Sequence, residues 1–250
     1  QVPPCAGATR RVAIRTMEVD AGRWPATSGA LAERQAALAA ARPPPWSSRA
    51  GVLRACGVGL VSGRGGAGAG AAGDPGVAAA VTLELGGEGR REIARAIVAG
   101  ALPAGYAAGL LALREGPLLE AAVRALPDAP DVVLVHAAGR DHPRGAGLAL
   151  MLGAALGLPT VGVTSRPLVA LGDLPEDAPG ARSALVLAGE PVGCWIRTRA
   201  GTRPLVAHAA WRTTPEVAAE VVLRATGEAR MPEPIRRARE VARNERDGRR

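Results

Sequence analysis

The chain has 250 residues, of which 48% are hydrophobic, enough to bury a substantial core and to place it among globular proteins. No apolar run approaches the roughly 20 residues that a helical membrane span requires, so no membrane partner is expected. The formal net charge of +8 invites a nucleic-acid partner, because basic surfaces release counterions from phosphates. That charge is weak support by itself: the chain lacks Lys and Phe and has one Asn, Asn244, and a bias toward Arg, Ala, Gly and Pro raises the charge whatever the function.

Cys5, Cys56 and Cys194 lie far apart and lack CxxC spacing, so they form neither a zinc motif nor an even disulfide set. A reducing, cytoplasmic setting is the expectation, with Cys56 and Cys194 as small core residues. The first residues, QVPPCAGATRR, show no basic-then-apolar leader pattern, which argues against secretion.

Residues 1–22 carry no periodic pattern beyond Val12–Ile14 and read as an extension. Ser28–Ala41 is rich in helix formers, with Leu31, Gln35 and Leu38 on one face, and the prolines of Arg42-Pro-Pro-Pro-Trp46 end it. Val52–Val61 and Val77–Leu85 read as strands flanking a Gly/Ala-rich loop. Gly68–Gly73 matches GxGxxG literally, but Asp74-Pro75-Gly76 breaks any following helix, so the loop belongs to a hairpin rather than to a dinucleotide site. Glu92–Ala99 continues the meander, and Leu102–Gly109 is a loop holding Tyr106, the one tyrosine. Arg114 and Glu115 then interrupt an apolar run, and Pro117 is expected in the first turn of a helix ending near Leu126.

The stretch 131–165 is the centre of the chain. Val132–Val135 is a fully buried strand delivering His136 at its end; Leu148, Met151, Leu152, Ala155 and Leu156 recur at helical spacing; Pro159–Val163 is a second buried strand. Hairpin-linked strands followed by helix-linked strands predict an α/β fold, a mixed sheet flanked by helices, with chemistry at the carboxyl ends of the strands. A single domain is expected over residues 23–243, with a basic tail at 244–250.

These residues carry a resemblance. Leu110-Leu-Ala-Leu-Arg-Glu115-Gly-Pro, Asp131-Val-Val-Leu-Val135, Gly139-Arg-Asp-His142-Pro143-Arg144 and Pro159-Thr-Val-Gly-Val163 resemble successive motifs of the endonuclease V family. Trp24-Pro25, Glu33-Arg-Gln35, Gly193 with Ile196-Arg-Thr198 and Gly201, and Pro232-Glu-Pro234 extend the resemblance over residues 24–242. It implies a ribonuclease H-like fold and a hydrolase that cuts DNA or RNA to the 3′ side of deaminated purines such as deoxyinosine. The cofactor it implies is Mg²⁺ or Mn²⁺ held by converging carboxylates, which suits a hard ion whose waters attack a phosphate.

Carried over residue by residue, the resemblance makes Glu115 and His142 catalytic, Glu115 and His136 metal ligands, and Tyr106, Arg144 and Arg166 nucleic-acid contacts. The chain departs from the family pattern where Gly59 and His136 replace carboxylates, Ser165 a lysine and Trp211 a histidine. One carboxylate and one imidazole bind Mg²⁺ more weakly than several carboxylates, so weak metal binding and weak or absent cleavage are expected. Asp141 either joins a borderline-metal set or caps the helix after Pro143. The alternative to a weak enzyme is a catalytically inactive nucleic-acid-binding or protein-binding module on the same fold.

Overall fold

The β-rich runs of the N-terminal half form an antiparallel meander of three long strands, and the later strands extend the same sheet. In chain order the elements are β1 (Arg15–Thr16), α1 (Ser28–Ala40), β2 (Leu53–Ser62), β3 (Pro75–Gly86), β4 (Gly89–Ala101), α2 (Leu111–Arg124), β5 (Val132–Val135), α3 (Leu148–Leu156), β6 (Thr160–Thr164), β7 (Arg182–Leu187), β8 (Glu190–Ile196), β9 (Leu205–Ala209), α4 (Pro215–Ala225) and α5 (Glu233–Gly248). The computed structural model describes residues 15–16, 24–48, 51–62, 70–86 and 89–248. Cys5, most of the predicted extension and residues 63–69 of the glycine-rich loop lie outside them.

The strands lie in the order β1-β4-β3-β2-β5-β6-β9-β8-β7. At the centre β2, β5 and β6 run parallel, while β3 and β4 on one side and β9, β8 and β7 on the other are antiparallel additions. This is the mixed α/β sheet that the pattern of runs predicted. All four residues of β5 are buried, as a parallel strand covered on both faces requires. Alternation along the central strands splits the core: Cys56, Val58, Val133 and Val135 pack with α1, α2 and α3, and Leu53, Ala55, Val132 and Leu134 with α4 and α5.

Helix α1 starts at Thr27, whose hydroxyl accepts the N–H of Ala30, and buries Leu31, Gln35 and Leu38 as its spacing predicted. Cys56 and Cys194 are buried, free thiols.

Two expectations need correction. Helix α2 begins at Leu111 rather than at Pro117, which sits inside it. The charged pair did not mark a break because Arg114 is buried with its guanidinium satisfied: it donates to the carbonyls of Ala71 (2.8 Å) and Ala104 (2.7 Å) and to the Asp74 carboxylate (2.9 Å). The basic stretch from residue 244 is not separate from the domain either, since 244–248 complete α5, an amphipathic helix that buries Pro234, Ile235, Ala238 and Ala242. Within the predicted extension, β1 pairs in parallel with β4.

Helix α5 rides directly on the backbone of β2. A Cβ at Gly57 would lie 2.0 Å from the Pro234 carbonyl carbon and 2.3 Å from the Ile235 nitrogen. Only a bare backbone lets the helix approach so closely, and this contact sets what surrounds the strand ends.

Candidate functional site

The parallel register pairs Val58 of β2 with Val135 of β5, so one residue further on Gly59 and His136 stand side by side at the carboxyl edge, on the face that α5 covers. Glu115 reaches the same neighbourhood from α2 on the opposite face. Its neighbour Arg114 ties α2 to residues 71–74 and to Ala104, which draws the loop bearing Tyr106 toward that end of the helix. The Tyr106 N–H donates to the Gly70 carbonyl at 2.7 Å, while its side chain is 65% exposed and free to stack on a base.

Glu115 makes no hydrogen bond or ion pair among the described residues. Burial pushes its carboxyl up to about 7, against the opposing charges of Arg114 and Arg239. His136 is exposed at the strand end; loss of solvent on one side, followed by the charge of Arg239, holds its pKa below the usual imidazole value. Arg239 of α5 therefore acts on both groups. It lies against Gly59, where a Cβ would sit 2.7 Å from its backbone nitrogen and from its Cγ.

His142 is buried, and the Arg144 N–H donates to its Nδ1 at 3.1 Å. Burial and the Arg144 charge lower its pKa against the pull of Asp141, so the ring is neutral near pH 7 with its proton on Nε2. Arg144 spends two of its donor nitrogens on structure, Nε on Gln35 Oε1 and Nη2 on the Gly109 carbonyl at 2.7 Å, which fastens α1 to the end of the Tyr106 loop. Arg166 is exposed just beyond β6 and makes no side-chain bond among the described residues. Trp211 is half-buried and packs against α3.

Three residues that sequence reasoning passed over matter here. Arg230 extends its Nη2 to Ser165 Oγ at 3.1 Å, so a guanidinium reaches the place where the resemblance expects a lysine. Arg239 is one of several arginines on α5, and nothing in its spacing sets it apart. His208, a lone polar residue in the apolar run of β9, is fully buried with Nε2 2.7 Å from Thr164 Oγ1 and Nδ1 3.6 Å from Asp141. Because the Thr164 hydroxyl donates to the Arg166 carbonyl, it accepts from His208 Nε2, and Nδ1 has no hydrogen-bond partner. Burial lowers the His208 pKa and keeps the ring neutral.

Asp141 neither caps α3 nor turns toward the other candidates. Its carboxylate accepts the N–H groups of Leu168 (2.8 Å), Val169 (2.9 Å) and Ala170 (2.8 Å), and the N-cap of α3 is Gly147 with no side-chain bond. Asp141 thus folds the segment after β6 back over the turn that carries His142.

Comparison with known proteins identifies the family and the fold. The family model described as Endonuclease V matches residues 63–240. The chain belongs to the endonuclease V family. The endonuclease V of Thermus thermophilus is 42% identical over 135 residues, 53% of this chain and 60% of that protein, so the match spans less than two thirds of that relative. The crystal structure of an endonuclease V from Streptomyces avermitilis superimposes with a TM-score of 0.77 at 31% identity, covering 94% of this chain and 99% of that one. The endonuclease V of Ciona intestinalis, solved with a 24mer DNA containing an inosine followed by a ribo-adenosine, shares the fold at 21% identity and a TM-score of 0.68. The fold is accordingly the ribonuclease H-like one expected of an endonuclease V. The family match begins after β2, the strand that carries Gly59.

A divalent metal of the kind the endonuclease V resemblance implies does not fit the residues at this edge. Gly59 offers no ligand, and the backbone of Arg239 fills the space any side chain there would need. His136 brings no negative charge, and Asp141 is bound elsewhere. Among the described residues no three His, Cys, Asp or Glu side chains converge as a metal-binding group. A hard ion needs several anionic oxygens, and what stands here instead is one carboxylate beside a guanidinium.

Proposed function

We propose that this chain binds nucleic-acid strands containing deaminated purines, deoxyinosine or inosine, and cleaves them weakly or not at all. The observation that carries this reading is the composition of the strand-end edge, where Glu115 is the one carboxylate among Gly59, His136 and Arg239. Tyr106 offers a stacking face, Arg166 and Arg230 offer cations, and the neutral Nε2–H of His142 is suited to donate to a phosphate oxygen. Arg144 holds this surface in place through Gln35 and Gly109 and keeps Nη1 for a phosphate. With no fitted site for Mg²⁺ or Mn²⁺ at Glu115 and His136, a hydrolytic role in DNA repair is disfavoured.

The test is fluorescence anisotropy with a deoxyinosine-containing strand and a matched undamaged strand, with the same mixtures run on denaturing gels after incubation in Mg²⁺ and in Mn²⁺. The reading expects preferential binding of the deoxyinosine strand, which remains intact. Cleavage that Glu115→Ala abolishes would restore the enzyme, and equal or absent binding of both strands would remove the nucleic-acid assignment.

A further inference from the structure

We propose that Arg239 stands in for a divalent cation at this edge, so that the site takes a nucleic-acid phosphodiester directly and without metal. The inference rests on the nucleic-acid reading above and adds the group that holds the phosphate.

Three observations carry it. The first is placement: Arg239 enters from α5 beside Gly59, with its backbone nitrogen and Cγ where a Cβ at that position would fall. A metal-binding side chain at 59 and the present path of α5 are mutually exclusive. The second is charge: from its place against Gly59 the Arg239 guanidinium is within electrostatic reach of both Glu115 and His136, the two groups the resemblance would assign to a metal. The third is that its donors are unspent. Arg239 is exposed and makes no hydrogen bond or ion pair among the described residues, whereas its helix neighbours Arg236 and Arg237 are both committed to Glu233.

A guanidinium in this position matches two oxygens of a phosphodiester through paired N–H donors, as a point-like ammonium does not. It stays charged at any physiological pH and needs no ligands. Arg230, held at Ser165, and Arg166 lie further along the same edge, beyond the end of β6, and extend the cationic track for a strand running across β2, β5 and β6. Unlike a metal, an arginine does not activate a water, so binding is retained where hydrolysis is not.

The experiment measures the affinity of the full chain for a deoxyinosine-containing strand in EDTA and then in Mn²⁺, for wild type and for Arg239→Met, which keeps the apolar stem of an exposed side chain. Circular dichroism confirms that the variant folds. The expected result is an affinity for wild type that is the same in EDTA and in Mn²⁺. For Arg239→Met the affinity falls about tenfold, and the slope of log affinity against log salt drops by about one. Wild type that binds only with Mn²⁺, or Arg239→Met that binds as wild type does in EDTA, overturns this proposal while leaving the nucleic-acid reading intact. If wild type binds the strand in neither buffer, both fall together.

Discussion

Glu115→Gln should make the protein more stable at every pH above about 4.5. In the folded chain burial raises the Glu115 carboxyl from 4.5 to about 7. Below pH 4.5 the group is protonated in both states and its burial costs no charge. As pH rises from 4.5 to about 7 the unfolded chain ionises freely while the folded chain keeps its proton, so stability is lost over that window and levels off above it. At ~1.4 kcal/mol per pH unit, the interval between the two values corresponds to ~3 kcal/mol. Glutamine has nearly the same shape and no charge, so the variant should exceed wild type by ~2–3 kcal/mol at pH 8 and match it near pH 4.5. Urea unfolding at several pH values measures this directly, and millimolar Mg²⁺ should leave the difference unchanged. Equal stabilities at pH 8, or Mg²⁺ stabilising wild type but not the variant, would refute the reasoning.

Gly57→Ala puts a methyl group 2.0 Å from the Pro234 carbonyl carbon, which forces α5 off β2 and should cost at least ~3 kcal/mol in denaturant unfolding. Gly29→Ala, in α1 with open space around the new methyl, should instead stabilise by ~0.5–1 kcal/mol in the same assay. Asp141→Asn leaves one carbonyl oxygen to serve the three N–H groups of Leu168, Val169 and Ala170, for a loss of ~2 kcal/mol and faster hydrogen exchange at those amides. Tyr106→Ala should weaken strand binding by ~1–3 kcal/mol, with Tyr106→Phe close to wild type and neither changing the melting temperature, since the side chain is exposed.

What was legible in the sequence and what was not divide along the range of the interactions involved. The strand β5 and the helix face Leu31–Gln35–Leu38 were readable because each is a local pattern that one burial direction explains. The start of α2 was not, because Arg114 looks like an interruption until its partners Ala71, Asp74 and Ala104, on two other segments, are known. Asp141 misled for the same reason: a turn aspartate suggests a cap, yet its donors lie 27 to 29 residues away. His208 stood out only as a polar residue inside an apolar run, and its partners Thr164 and Asp141 emerge from the pairing of β6 with β9.

By the resemblance, positions 59 and 136 read as replacements, and Arg239 lies against the first of them. Gly57 and Gly59 alternate on one face of β2, a signal that something packs closely there. Which residue of α5 arrives over Gly59 depends on the register of the helix against the sheet, and no local pattern encodes it.

Crystals grown with Mn²⁺ and a deoxyinosine-containing strand, examined by anomalous scattering at the manganese edge, would test the metal-free account most directly. It predicts no manganese bound to the Glu115 carboxylate or to His136, and a strand phosphate held by the Arg239 guanidinium. A manganese peak bridging Glu115 and His136 would contradict it.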